Sequence, residues 1–214
     1  TLKVDENTSV KQTGDEAQIL SKLDLPFYID IDRVRAVKTL VANHDCDIII
    51  SDDGLQHYNM NRDVEILVID GKRRFGNNLV FPAGPLRESK KRINSVDFIV
   101  NNSGPTAEGE HLMNISPSKF VHLKSGKSYP VEKWPMHKQV HAVAGLGNPG
   151  RFFDLLARLG FDIARHPFAD HHNFSTTDLH YLDHLPIIMT EKDASKCKSF
   201  NNNRIWYLTI EAEI

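Results

Sequence analysis

From residue 32 onward, stretches with apolar residues at helical spacing alternate with short runs that are largely apolar. Val34, Val37, Leu40 and Val41 share one face of a helix. Ile48–Ile50 follows as a strand-length run ending in Ser51-Asp52-Asp53-Gly54. A second run, Val64–Ile69, ends in Asp70-Gly71, and a third, Val96–Val100, ends in Asn101-Asn102-Ser103-Gly104. Runs mostly apolar on both faces, separated by helical or long connections, predict a parallel sheet covered on both sides. Ligands of such sheets bind beyond the carboxyl ends of the strands, where these three runs place polar and small residues. The same residues are also ordinary turn formers.

Between residues 105 and 135 the helical pattern stops. Phe120–Leu123 and Ser128–Val131 flank Lys124-Ser125-Gly126-Lys127 and predict a β-hairpin, with Pro117, Pro130 and Pro135 around it. Beyond it the alternation resumes. A strand is expected at Val140–Ala144, helices at Arg151–Leu159 and Ser175–Leu185, and strands at Pro186–Met189 and Arg204–Ile210. Thr190, with an acid three residues on at Asp193, reads as the N-cap of a helix running towards Cys197. The expected organisation is α/β: one lobe over residues 1–116, a two-stranded hairpin linker over 117–135, and a smaller α/β lobe over 136–214.

Composition narrows the classes. With 40% hydrophobic residues and a net charge of −2, the chain is not of the disordered type. The balance of 26 Lys+Arg against 28 Asp+Glu argues against nucleic acid as a partner. No apolar run is of bilayer length. Cys46 and Cys197 form no CxxC and no disulfide framework, which points to a reducing compartment. The chain starts at Thr1 without an initiator Met and is expected to be a fragment.

Several segments could carry chemistry. Asp52-Asp53-Gly54-Leu55-Gln56-His57 places paired carboxylates, an amide and an imidazole directly after a strand. Magnesium suits such a place, because it needs only one or two protein carboxylates and keeps much of its water. Pro82-Ala83-Gly84-Pro85-Leu86-Arg87-Glu88 is a stiff segment presenting a planar guanidinium suited to phosphate and a carboxylate suited to magnesium or a hydroxyl, or else a surface ion pair. The triplets Lys72-Arg73-Arg74 and Lys90-Lys91-Arg92 are solvated faces or an attraction for an anionic substrate or membrane. Gly145-Leu146-Gly147-Asn148-Pro149-Gly150 matches GxGxxG between a strand and a helix. Yet Asp162 and Asp170 fall in a stretch read as irregular, and Pro149 removes an amide N–H, so a tight structural turn is the preferred reading. Asp170-His171-His172 offers a carboxylate–imidazole pairing.

Together the motifs resemble the tetraacyldisaccharide 4'-kinases, enzymes of lipid A biosynthesis in Gram-negative bacteria. The resemblance rests on GDE at Gly14–Glu16, DDGLQH at Asp52–His57, RDVEILVIDG at Arg62–Gly71, RRFGN at Arg73–Asn77 and PAGPLRE at Pro82–Glu88. It continues through AGLGNPGRFF at Ala144–Phe153, ADHH at Ala169–His172 and TEKDASKC at Thr190–Cys197. It implies a P-loop kinase fold and transfer of the ATP γ-phosphate, with magnesium, to the 4'-hydroxyl of a lipid disaccharide 1-phosphate. Peripheral attachment to the anionic cytoplasmic face of the inner membrane is implied as well. Asp15 is then the base for the sugar hydroxyl, with His171 as its partner. Asp52 and Asp53 become the Walker B acids for magnesium, and Arg33, Arg87 and Glu88 contact phosphate, magnesium or substrate, with Gln56 and His57 completing the motif. No Walker A sequence, GxxxxGK[ST], occurs in the 214 residues, so an incomplete P-loop lobe is expected and the fragment alone should bind ATP poorly. Two other readings are a non-catalytic nucleotide- or lipid-binding remnant and a metal-dependent hydrolase built on Asp52, Asp53, His57, Asp170 and His171.

Overall fold

The computed structural model describes residues 1–5, 8 and 10–214, apart from the side chains at positions 10, 11, 15, 16 and 18. In chain order the elements are β1 (Leu2–Val4), α1 (Val10–Thr13), α2 (Asp15–Leu20), β2 (Phe27–Ile29), α3 (Arg33–Asn43), β3 (Ile66–Asp70), β4 (Phe98–Asn102) and β5 (Glu110–His122). There follow β6 (Ser128–Pro130), β7 (Gln139–Ala144), α4 (Gly150–Arg158), β8 (Asp162–Pro167), β9 (Ile187–Thr190), α5 (Glu191–Lys196) and β10 (Ile205–Glu213). Contacts divide the chain into two units. The larger comprises residues 1–45 and 117–210, the smaller residues 46–116 and 211–214. Residues 1–45 thus group with residues 117–210 rather than with the segment that follows them.

In the smaller unit, β3 and β4 run parallel with Ile66 opposite Phe98, and β4 runs parallel to the start of β5 with Ile99 opposite Glu110. The turn after β3 crosses the turn after β4 closely. A Cβ on Gly71 would lie 2.7 Å from the Gly104 backbone, so neither glycine admits a side chain there.

In the larger unit the strand order is β5–β10–β9–β7–β8, with β10, β9, β7 and β8 in parallel ladders. The predicted hairpin is present as β5 and β6, antiparallel with Phe120 opposite Tyr129. Both faces of this sheet are covered. Val140, Ala142 and Ala144 pack with Phe120, Phe152, Phe153, Leu156, Phe161, Ile188 and Trp206, whereas Val143 packs with Ile187, Met189, Cys197 and Ile205. That alternation follows from the two-residue period of a strand. Complete burial of a side chain such as Phe120 stabilises by roughly 1.5–3 kcal/mol. α4 lays Phe152, Phe153 and Leu156 on the sheet and ends at Gly160, whose φ is 82°. Gly160 N–H donates to Ala157 and Phe161 N–H to Leu156, the paired bonds that satisfy the last carbonyls of a helix.

Three expectations are corrected. Ile48–Ile50 is not a strand: Ile48 and Ile50 are 80% and 87% exposed. A strand exists through its ladder, and among the described residues none pairs with this run. Ser175–Leu185 is not a helix but a single 3-10 turn, Thr177–Leu179. Arg204 takes the carbonyl of Tyr181 and Asp183 Oδ1 takes the Leu185 N–H, the two groups that an i,i+4 helical bond would join. Residues 162–167, read as irregular, form β8. Pro167 is tolerated because it ends an edge strand, and the polar ring of His166 is satisfied by His141 Nδ1 at 2.9 Å.

Candidate active site

Within the smaller unit the two motifs singled out from sequence meet. The Ser51–His57 segment is a tight turn: His57 N–H donates to the Gly54 carbonyl, and Asp53 adopts a left-handed φ of 49°. A Cβ on Gly54 would stand 2.7 Å from Ser51 Oγ, so glycine lets the turn close. Arg62 pins it from below, Nη1 donating to the carbonyls of Gly54 at 2.7 Å and His57 at 3.4 Å.

The second motif folds back on itself through residues 79–86. Phe81 N–H donates to Leu86 and Leu86 N–H to Leu79. A Cβ on Gly84 would fall 2.2 Å from Asn77 Oδ1 and 2.3 Å from the Leu79 carbonyl oxygen, so the loop closes only around glycine. The closed loop delivers Arg87 and Glu88 to the turn. Arg87 Nη1 donates to both oxygens of Asp53, at 2.7 and 2.8 Å, and approaches Gln56 Oε1 at 3.4 Å. Gln56 Nε2 donates to Glu88 Oε1 at 2.6 Å, and Tyr58 Oη donates to Glu88 Oε2. Arg92 Nε lies 3.6 Å from the same Oε2 while its Nη2 grips Glu65.

The donors around Glu88, the Tyr58 hydroxyl foremost and then Gln56, hold its carboxyl below the ordinary range. The Asp53 carboxylate in turn raises Arg87 above its ordinary value. Asp53, Gln56, Arg87 and Glu88 are thus brought together, beside Asp52 and His57 on the same turn. Sequence reasoning missed Tyr58, Arg62 and Arg92. Arg92 was hidden inside a basic triplet read as a solvated face or an attraction for anions, and the available signals were the i,i+3 spacing of Arg62 and Glu65 and the i,i+4 spacing of Glu88 and Arg92. The other triplet also loses a cation to the interior: Arg74 forks onto Glu110 at 2.8 and 2.6 Å and draws its carboxyl down to about 2.

The other candidates lie in the larger unit. Asp15 opens α2, but its side chain lies outside the described residues. Arg33 is the first residue of α3, whose N-cap Asp32 accepts from Arg35 N–H. His171 sits in the loop after β8 with a φ of 57°, its N–H donating to Asp170 Oδ1 at 3.0 Å and its ring 65% exposed. The adjacent His172 turns inward, onto Asp178 at 3.2 Å and against the rings of Phe168 and Phe174. The glycine-rich turn after β7 is the structural one preferred from sequence. Gly145 N–H donates to the buried carboxylate of Asp193 at 2.9 Å, and Asp170 Oδ2 stands 3.4 Å from where a Cβ on Gly147 would be. A phosphate there would meet two carboxylates.

Asp52 presents a carboxylate on an exposed turn and fits magnesium, and Asp53 beside it fits once Arg87 leaves its two oxygens. Glu88 fits less directly, with one oxygen on Gln56 and the other on Tyr58. Among the described residues no three His, Cys, Asp or Glu side chains converge on one metal position, and no helix is long and apolar enough to cross a membrane.

Comparison with known proteins gives the family of the chain. The family model described as tetraacyldisaccharide-1-P 4'-kinase, LpxK, matches residues 1–214. The tetraacyldisaccharide 4'-kinase of Ruthia magnifica is 47% identical over 214 residues, covering 100% of this chain and 67% of that protein. That of Nitrosococcus oceani is 45% identical over 202 residues, 94% of this chain and 59% of the relative. That of Legionella pneumophila is 44% identical over 209 residues, with 97% and 64% covered. The crystal structure of LpxK from Aquifex aeolicus in complex with ATP superposes with a TM-score of 0.80 at 24% identity, covering 99% of this chain and 69% of that one. That likeness establishes the α/β kinase fold. The chain spans 59% to 67% of the length of these curated relatives, and it belongs to the tetraacyldisaccharide-1-P 4'-kinase family.

Proposed function

We propose that the protein transfers the γ-phosphate of ATP to the 4'-hydroxyl of a tetraacyldisaccharide 1-phosphate, a step of lipid A biosynthesis. The observation that carries this reading is the meeting of Arg87 with Asp53 and of Gln56 with Glu88. It assembles a cation for phosphate oxygens and carboxylates for a metal on one turn, as phosphoryl transfer requires. The Arg87–Asp53 pair is 65% exposed on both sides, so separating it costs no more than about 1 kcal/mol. Arg87 is therefore free to turn from Asp53 to phosphate, leaving the Asp53 carboxylate available.

Asp52 and Asp53 would hold magnesium, which would supply charge neutralisation to the phosphate groups. Glu88 keeps Gln56 and Tyr58 in place, and Arg62 keeps the turn closed beneath them. Asp15 accepts the proton of the sugar hydroxyl, and His171 partners it. General base assistance of this kind contributes on the order of 10²–10⁴-fold. Arg33 and His57 complete the contacts to phosphate and substrate. The lipid substrate places the protein at an anionic membrane surface, the cytoplasmic face of the inner membrane. Lys72, Arg73, Lys90 and Lys91 are the triplet cations outside the Arg74–Glu110 and Arg92–Glu65 pairs.

The test is transfer of labelled γ-phosphate from ATP to the disaccharide 1-phosphate by the full gene product, beside Asp15→Asn and His171→Ala variants. Transfer by the parent, with turnover in both variants reduced far more than ATP binding, is the expected result. A folded parent that binds ATP and transfers nothing would return the chain to a binding role.

A further inference from the structure

Helix α5 is short, yet four of its side chains hold three pieces of the larger unit: the end of α2, the loop after β8 and the end of β7. Glu191 accepts from Lys22 Nζ at 2.6 Å, just beyond the end of α2, and α2 packs on α5. Lys192 Nζ lies 3.8 Å from Asp170 Oδ1, the oxygen that also accepts the His171 N–H. Asp193, fully buried, accepts from Gly145 N–H at the end of β7 and from Thr190 Oγ1. Lys196 Nζ, on a side chain 6% exposed, donates to the His172 carbonyl at 3.1 Å and faces Asp193 Oδ1 at 3.6 Å.

These contacts surround His171. Its peptide N–H is held by Asp170, the next carbonyl by Lys196, and the loop floor by Gly145. A Cβ on Gly145 would meet Asp193 Oδ1 at 3.1 Å and the Ala169 carbonyl oxygen at 3.2 Å, so the buried acid and the start of the loop both close on this glycine. Lys196 and Asp193 are a buried pair in which each ion needs the other, and breaking one such pair leaves an uncompensated charge. A non-glycine residue at positive φ, such as His171 at 57°, persists where its surroundings over-determine it. Its position comes from these side chains.

We propose that α5 sets the register between the two elements that carry the proposed catalytic pair: the ADHH loop with His171, and α2, which begins at Asp15. Lys192 and Glu191 are then positioning residues, one for each element, and neither touches substrate. The proposal rests on the kinase reading of Asp15 and His171. Rate is sensitive to such register, because a displacement of about 1 Å between reacting groups costs on the order of a hundredfold.

The experiment uses the full gene product with Lys22→Glu, Glu191→Lys, the double swap, and Lys192→Met. The single variants are expected to lower kcat about tenfold while the KM for ATP and the unfolding midpoint stay unchanged. The double swap, which restores an ion pair of reversed polarity, is expected to recover kcat. Unchanged kcat in the single variants, no recovery in the swap, or a kcat loss that tracks the unfolding midpoint would each overturn the proposal. Amide hydrogen exchange on the same variants reads register without chemistry. Glu191→Lys should speed exchange over residues 16–20, and Lys192→Met over residues 170–172. If the parent transfers no phosphate, the kinase reading falls, and exchange rates unaltered in these segments would overturn the positioning role separately.

Discussion

His141 Nε2 lies 2.9 Å from Asp183 Oδ1 and donates to that carboxylate, while its Nδ1 faces His166 Nε2 at 2.9 Å. One hydrogen bridges the two rings, so the pair carries at most one positive charge while the contact lasts. Tyr181 stacks on His141 at 3.8 Å, and burial pushes its hydroxyl up to about 12. Burial first, and the charge of His141 second, lower His166 below its ordinary value. A histidine lowered on folding takes up its proton first in the unfolded chain. Its contribution is therefore complete above the unfolded value of about 6.5 and is lost as pH falls below it. The unfolding midpoint should drop between pH 7 and pH 5, and His166→Gln should flatten that slope. Equal slopes in parent and variant would sink the assignment.

Arg87 separates stability from activity. Its pair with Asp53 is too exposed to stabilise the fold appreciably. Arg87→Ala should leave the unfolding midpoint almost unchanged and lower kcat about a hundredfold, the range for losing one preorganised charge donor. Arg87→Lys should recover little, because a point charge does not reproduce the planar fork. A thermal melt beside a transfer assay decides it.

Gly84→Ala tests how the Arg87–Glu88 segment is presented. The added methyl falls inside the contact distance of Asn77 Oδ1 and the Leu79 carbonyl. The expected loss is about 1–3 kcal/mol, the usual range for overpacking, measured by denaturant unfolding. A neutral substitution would mean that the loop closes differently.

The two cysteines should part sharply under a thiol reagent. Cys197 is fully buried, and burial first, then the nearby Asp193, raise its thiol to about 12. Cys46 is partly exposed. One thiol should react in the native protein and both after unfolding. Two fast-reacting thiols in the native state would contradict the packing around α5.

Much of the fold follows from local patterns. The Thr190 cap, the hairpin of Phe120 and Tyr129, and the amphipathic α4 all appear where periodicity and turn chemistry put them. What periodicity could not supply was partnership. Ile48–Ile50 has strand composition without a ladder, and residues 162–167 form a strand against composition because β7 offers an edge. The site shows the same split. DDGLQH and PAGPLRE were recognisable as motifs, but Tyr58 and Arg92 matter through carboxylates 30 and 27 positions away, which no local window contains, and Arg62 matters through backbone carbonyls, which leave no side-chain pattern to read.

Arg204 has a bearing on the order in which the chain acquires its form. Residues 175–185 carry a helical pattern that the finished structure overrides, and the override includes a guanidinium about twenty residues further along. Local preference and native context disagree here, a small island of frustration. During synthesis this segment emerges before Arg204, so it is free to coil into a transient helix until β10 arrives and draws its carbonyls away. A peptide of residues 173–187 with helical circular dichroism would support that sequence of events, and a spectrum without helix would remove it.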